Sequence, residues 1–567
     1  MQGSNNWAVS GEKSRSGKPI LCCDPHSRQS IPTAFYLCHL KAEEESCDMI
    51  GASLPGMPGI IMGRNRSIAW SATSLGTDAV DLYIETFEER GSRRYLAGED
   101  WREAELVEEV VRVFPGRRVK HEVLITRHGP VVAREEDKGL ALKWVGHDPD
   151  NDSAGCFVRM GLAGSWEEFR LALKGYSGPG LNLVYADLEG NIGYCAAARI
   201  PLREGHDGSV PLPGKSNSYE WKGYAEVQEM LHVLNPGSGW VATANNQIAD
   251  DKCPYNLTTM WQPSCRQERI AELLAAENKL GVDDMRSIQS DLQTCHGGVL
   301  RREMMLAAEG REDLSPRILQ ALDILGKWGG RAEVDSAAQS IYYLTWKVLT
   351  ERLLRHRLGH DLYFHYVTSF CNVNHAVGKI LAEKRQEWLP AYADDYQQLL
   401  LQCLEEALRR LEARFETPDM SSWEWGKMHS LEVPHFLGAF WPLNRFLNLG
   451  PVRRPGDGET VCAAMPESDP AVQVRARSAA GGSSAAAFAP RFYSDRAYAG
   501  PVLKMIIDLA DAESSLWCLD VGQSSHPLSR YYVNFFDMWR DNRYIPMAFS
   551  PKKIEETAVS RLKLVPE

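Results

Sequence analysis

The apolar residues of this chain change their period twice, and that change limits the folds open to it. Over roughly the first 260 residues they come in short, often alternating runs broken by Gly, Pro, Asn and Asp, as in strands. "NWAVSG" and "KPILCCD" flank a Gly/Ser/Lys turn and predict a hairpin. "DAVDLYIETF" predicts a strand, "LVEEVVRVF" and "HEVLITR" a pair around "PGRRVK", and "LNLVYADLEGNIGYCAAARI" a hairpin about "LEGN". From Arg266 to Phe415 the spacing becomes three to four, the helical period, as in "SPRILQALDILGKW" and "YQQLLLQCLEEALRRLEARF". After "RRPGDGE" short strands return, with "LKMIIDL" and "SSLWCLDVG" as a pair. The small-residue run "RARSAAGGSSAAAFAP" predicts a mobile loop. Strands, then helices, then strands indicate an α+β protein. The expected parts are strand-rich 1–264, helical 265–420 and a return to the sheets over 421–567.

Composition narrows the function. Hydrophobic residues are 44% and charged residues 24%, the proportions of a globular protein. Lys+Arg 63 against Asp+Glu 75 gives a net charge of -12, which disfavours nucleic acid as the main partner. No apolar run approaches the ~18 residues of a membrane span. The 13 cysteines contain no CxxC pair and read as buried thiols, with one or two bridges compatible with export. His356, His360 and His365 have helical spacing but no HExxH or clustered carboxylate, so they read as helix surface. GxSxG, P-loop and GxGxxG motifs are absent.

The chain opens "MQGSNNWAVSG". A serine hydroxyl is a weak nucleophile until a base takes its proton. An α-amine, with a pKa of about 7.7–8.0, is such a base, whereas a peptide nitrogen is not. Ser4 can use its own amine only if the Gly3–Ser4 bond is cut. Gly3, lacking a Cβ, lets the Ser4 hydroxyl approach the Gly3 carbonyl. Removal of Met1 alone leaves Gln2 and Gly3 in place, so self-cleavage is the economical route. The other reading of these residues is a frayed terminal segment.

Four motifs, in order, resemble the β-subunit of the penicillin acylase family of N-terminal nucleophile hydrolases. They are "GSNNWAVSG…GKPILCCDPH", "MPGIIMGRNRSIAWSATSLGTDAVDLYIE", "VATANNQIADDKCPY…CRQERIAELL" and "WGKMHSLEVPHFLG…LGPVRRPGDGETV…GQSSHPLSRYYVNFFDMW". The resemblance spans nearly the whole chain. It implies a four-layer αββα sandwich with a helical excursion, and an acylase that cleaves linear amides through an acyl-enzyme. Ser4 falls at the nucleophile position and Gly3–Ser4 at the cleavage point. His26 falls where the family places a ring beside the nucleophile. Ser74 falls where a backbone N–H serves as one oxyanion donor, and Asn245 where a side-chain amide serves as the second. Arg266 matches an arginine near the active site, and Met62 an acyl-pocket position often held by an aromatic residue.

The resemblance also implies a calcium loop made by Asp78, the Val80 carbonyl and Asp81, and no organic cofactor. Two carboxylates and a carbonyl suit a hard cation, although such aspartates also suit strand ends facing water. The family completes that site with an α-subunit carboxylate, and its α-subunit helps wall the acyl pocket. The expected partners are therefore an α-subunit from an upstream segment or separate chain, and a small amide substrate. No signal peptide precedes Ser4; an upstream segment carrying one would make the protein periplasmic or extracellular. An apolar acyl group of penicillin, cephalosporin or N-acyl-homoserine lactone type is implied. The competing reading is an unprocessed, catalytically silent β-subunit-like fragment.

Overall fold

The computed structural model describes residues 3–42, 47–250, 253–369, 372–466 and 496–564. The small-residue run at 475–490 lies outside them.

β1 (Ser4–Val9) and β2 (Ile20–Arg28) form the expected antiparallel hairpin, with Ser4 opposite Pro25 and Val9 opposite Ile20. The other edge of β1 takes the strand Trp240–Thr243, and β2 continues into Leu503–Asp508 and Ala497–Pro501. Both faces of this sheet are covered, which explains why its strands read as continuous apolar runs. Trp7, Val9, Ile20 and Cys22 point to one side, where they meet Ile270 and Leu274 of α3 (Cys265–Ala276) and Met285 and Ile288 of α4 (Val282–Gln289). Ala8, Leu21 and Cys23 point to the other side, into a core shared with Trp70, Leu183 and Tyr185.

Those last residues belong to a second, seven-stranded sheet. It holds β3 (Tyr36–Ala42), β4 (Cys47–Ser53), β5 (Met62–Arg64), β6 (Ile68–Ser74) and the strands Leu181–Asp187, Ile192–Ala197 and His232–Leu234. Phe157 and Met160 of α1 (Ser153–Leu162) and Trp166 and Phe169 of α2 (Trp166–Ala172) join the same core. The order helix, sheet, sheet, helix is the αββα sandwich of an α+β protein.

The middle of the chain builds its own core. α5 (Gly297–Ala308), α6 (Pro316–Lys327), α7 (Ala337–Ser369), α8 (Val373–Glu383) and α9 (Tyr396–Phe415) bury an apolar stripe against one another. In α9 that stripe is Leu400, Leu404, Leu408 and Leu411, spaced three to four apart. Asp395 caps α9 by accepting the Gln398 N–H, and Ser315 caps α6 ahead of a first-turn proline. Truncating a fully buried leucine here, such as Leu404→Ala, costs about 2–5 kcal/mol. α7 bends at Gly359, whose φ of 73° is left-handed. His356 and His365 are exposed on it.

A third sheet grows from β7 (Val80–Thr86) and ends in the hairpin Glu105–Val113/Arg117–Thr126. One disulfide, Cys265–Cys295, ties the first residue of α3 to the segment before α5, and ten other described cysteines are free.

Candidate active site

Ser4 opens β1 and is 8% exposed. Its hydroxyl donates to the Gly3 carbonyl oxygen at 2.5 Å. The same oxygen accepts the His26 main-chain N–H at 2.9 Å, and His26 N also lies 3.4 Å from Ser4 Oγ. The Ser4 N–H donates to Asn245 Oδ1 at 2.7 Å. His26 and Asn245, far from it in the chain, thus converge on the Gly3–Ser4 bond.

Asn245 follows the strand Trp240–Thr243 and has φ 66°. Asparagine is among the few residues that tolerate this left-handed conformation, because its short side chain bonds locally. The turn aims Oδ1 at Ser4 while Nδ2 donates to the Ser74 carbonyl at 2.8 Å. Ser74, the last residue of β6, is therefore tied directly to Asn245. A buried relay supports it: Asn182 Nδ2 donates to Thr73 Oγ1 at 3.1 Å and to the Ser74 carbonyl at 3.2 Å, and Tyr194 donates to Asn182 Oδ1 at 2.9 Å.

Arg266, the second residue of α3, is 5% exposed. Nη1 donates to the Ser4 carbonyl at 2.8 Å and to Asn5 Oδ1 at 2.7 Å. Nη2 donates to Asn245 Oδ1 and Gln262 Oε1, each at 3.0 Å. A Cβ on Gly3 would lie 2.9 Å from Arg266 Nη2 and 2.9 Å from Met465 Cε. Glycine stands there because the guanidinium fills the space a side chain would need.

The His26 ring is paired with Asp24. Nε2 lies 2.7 Å from Asp24 Oδ2, and both side chains are wholly buried. Burial pushes the ring's pKa down, with Asp24 pulling the other way. His26 meets the Gly3–Ser4 junction through its main-chain N–H, while its ring is paired with Asp24. Asn5 completes this assembly: Nδ2 donates to Asp24 Oδ2 at 2.8 Å and to the Val461 carbonyl at 2.9 Å.

Three contributors escaped the sequence reading: Asn5, Asp24 and Gln262. The signals were present in the doubled asparagine after Ser4 and in the aspartate before Pro25-His26. Outside this set, burial pushes the Glu459 carboxyl up to about 7, while Asn374 and the charge of Arg266 pull it down.

Met62 lies on β5, 2% exposed, in the core that also holds Ala52, Ile60 and Trp70. The expected calcium ligands are already engaged. Arg203 reaches both carboxylates: Nε lies 3.0 Å from Asp81 Oδ2, and Nη2 lies 3.0 Å from Asp81 Oδ1 and 3.3 Å from Asp78 Oδ1. Val80 begins β7, opposite Trp144. With a guanidinium between its two carboxylates, this donor set does not fit a divalent ion.

Sequence comparison places this geometry in a lineage. The penicillin amidase family model matches residues 1–556. The chain belongs to the penicillin amidase family. It is 31% identical over 575 residues to the penicillin acylase 2 proenzyme of Pseudomonas sp. (strain SE83), covering 100% of this chain and 69% of that protein. To the acyl-homoserine lactone acylase QuiP of Pseudomonas fluorescens (strain Pf0-1) it is 26% identical over 599 residues, covering 100% and 68%. The thermostable penicillin G acylase from Alcaligenes faecalis shares its fold, with a TM-score of 0.76 and 18% identity over 99% of each chain. This penicillin amidase family member is accordingly an acylase-type amidohydrolase acting on linear amides.

Proposed function

We propose that Ser4 is the nucleophile of this amidohydrolase and that the chain frees it by cutting its own Gly3–Ser4 bond. The observation that carries this reading is the Gly3 carbonyl oxygen, which accepts both the Ser4 hydroxyl at 2.5 Å and the His26 N–H at 2.9 Å. Ser4 Oγ attacks the Gly3 carbonyl carbon. The oxygen becomes an oxyanion held by the His26 N–H. The C–N bond breaks, the hydroxyl proton passes to the Ser4 nitrogen, and an ester remains. One water hydrolyses the ester, leaving a Gly3 carboxylate, a free Ser4 hydroxyl and a free α-amine.

That amine is then the base. It accepts the Oγ proton while Oγ attacks the substrate's acyl carbon, and returns a proton to the departing amine. Water resolves the acyl-serine by the same route. Asn245 Oδ1 holds the amine. One Nδ2 hydrogen holds the Ser74 carbonyl, and the other is the donor we assign to the developing oxyanion. The Arg266 charge beside the amine disfavours its protonated form and keeps it a base near neutral pH.

The substrate class we assign is an amide with an apolar acyl group, of the penicillin, cephalosporin or N-acyl-homoserine lactone kind. The names of the penicillin acylase and acyl-homoserine lactone acylase relatives support it. We assign a second, α-subunit-like segment as partner, which would wall the acyl pocket. An exposed apolar ridge supports this: Phe436 is 62%, Phe440 56%, Trp441 77% and Phe446 75% exposed, a concentration typical of interaction surfaces. Intact mass of the purified protein, with hydrolysis of phenylacetyl and fatty-acyl amides, tests the reading. Loss of residues 1–3 together with amide hydrolysis is expected. Full hydrolysis by a chain that keeps all three residues overturns it.

A further inference from the structure

We propose that Arg203 is the built-in cation of the Asp78–Asp81 site, and that this chain holds the site together without a divalent ion. The proposal stands whether or not Ser4 is the nucleophile. Arg203 lies between the strand Ile200–Pro201 and the strand Leu212–Pro213, and its side chain is 3% exposed. Its guanidinium spends its donors on two residues. Nε meets Asp81 at 3.2 Å and 3.0 Å, Nη1 meets the Asp78 carbonyl at 3.2 Å, and Nη2 meets that carbonyl at 3.2 Å. Nη2 also reaches one oxygen of each carboxylate. Trp221 Nε1 donates to Asp81 Oδ2 at 2.6 Å, so the buried Asp81 carboxylate is saturated.

The geometry leaves no second cation a place between the two carboxylates. Calcium takes six to eight oxygens at about 2.3–2.6 Å. The point within reach of both carboxylates is where Nη2 sits. An ion there would displace the guanidinium into a region with almost no solvent access, and like charge would oppose it. The backbone closes over the same pair. Gly208 has φ 79°, and a Cβ on it would lie 2.3 Å from Asp81 Oδ1 and 2.9 Å from Arg203 Nε. Glycine is required there both for its conformation and for the close approach. Burial pushes the Asp78 carboxyl up while the Arg203 charge pulls it down. A guanidinium fits a carboxylate in two parallel hydrogen bonds, as Nε and Nη2 do on Asp81, and it does not dissociate into solvent. Arg203 thereby fastens the segment that leads from β6 into β7 to the loop before Leu212, which pairs with Tyr83.

The test is thermal unfolding of the full chain with excess EDTA or with added calcium chloride, and a calorimetric calcium titration. The same measurements are made on Arg203→Ala. The expected result is a wild-type Tm unchanged by either addition and no calcium heat, with a lower Tm for Arg203→Ala that calcium raises in a saturable way. A wild-type Tm that EDTA lowers and calcium restores overturns the proposal, especially if Asp81→Asn abolishes the response. An Arg203→Ala Tm equal to wild type overturns it too. If Arg203→Ala does not fold, the wild-type titration still decides.

Discussion

Arg266 and Ser4 share an oxygen-rich junction in which the guanidinium grips both sides of the serine: the Ser4 carbonyl directly at 2.8 Å, and Asn245 Oδ1, which receives the Ser4 N–H, at 3.0 Å. A buried positive charge and the nitrogen proposed as the base thus share one acceptor, the Asn245 side-chain oxygen.

Replacing Arg266 with Gln should therefore move a pH profile. The neutral amine is the active form, and the nearby cation lowers its pKa. Without the cation the pKa rises, and the acidic limb of kcat/KM shifts to higher pH. A profile with an unmoved acidic limb and a uniformly lower rate would mean that Arg266 acts only in packing.

Ser4→Ala should abolish both trimming and hydrolysis, read by intact mass and by release of amine from a phenylacetyl amide. Ser4→Cys should retain trimming better than hydrolysis, because a thiol is intrinsically nucleophilic. Full activity of the alanine variant would sink the mechanism.

Asn245→Ala should lower kcat by about 10²–10³-fold, the usual effect of removing one oxyanion donor. Because residue 245 has a left-handed φ, Asn245→Gly is the matched control that removes the amide without backbone strain. A change confined to KM in both variants would assign Asn245 to substrate binding.

Gly3→Val separates the two proposed reactions. A β-carbon would press on Arg266 Nη2 and Met465 Cε, so trimming should slow sharply. Residue 3 is absent from the trimmed enzyme, so the fraction that does trim should have wild-type kcat. A reduced kcat in trimmed, repurified protein would contradict this.

Asp520 gives a stability test remote from amide chemistry. It is 0% exposed and bonded to Thr33, and burial raises its carboxyl to about 7. The folded state thus holds this proton more tightly than the unfolded chain. Its contribution is full below the unfolded value of about 3.9 and is lost as pH rises through 7. Tm should fall between pH 5 and pH 8, and Asp520→Asn should flatten that fall. An equally steep decline in the variant would place the titrating group elsewhere.

Much of this was legible in the sequence, for identifiable reasons. The β1–β2 hairpin and the helical stripe of α9 are set by local period, which a single chain displays. The meeting of Ser4 with Asn245 and Arg266 is not local; only the family motifs pointed to it. The pairing of the His26 ring with Asp24, two residues before it on β2, is a buried contact that no motif marks. Arg203 was missed because no motif marks an isolated arginine in a Gly-rich loop, and its meaning comes from the two aspartates it reaches across more than a hundred residues. The Cys265–Cys295 bridge likewise depends on distance in space, which spacing in the chain does not report.

β1 carries a last consequence. Chain ends ordinarily fray, but Ser4 is the first rung of a ladder with β2, in a strand flanked on its other edge by Trp240–Thr243 and buried at every position. Whether the bond before it is whole or cut, the serine is held by the innermost part of the molecule. Its amide neighbours should exchange hydrogen only when the whole sandwich opens. Reach, angle and stiffness at the reacting atom are therefore properties of the global fold, and heating should abolish them in one step with unfolding, without a prior softening of the terminus.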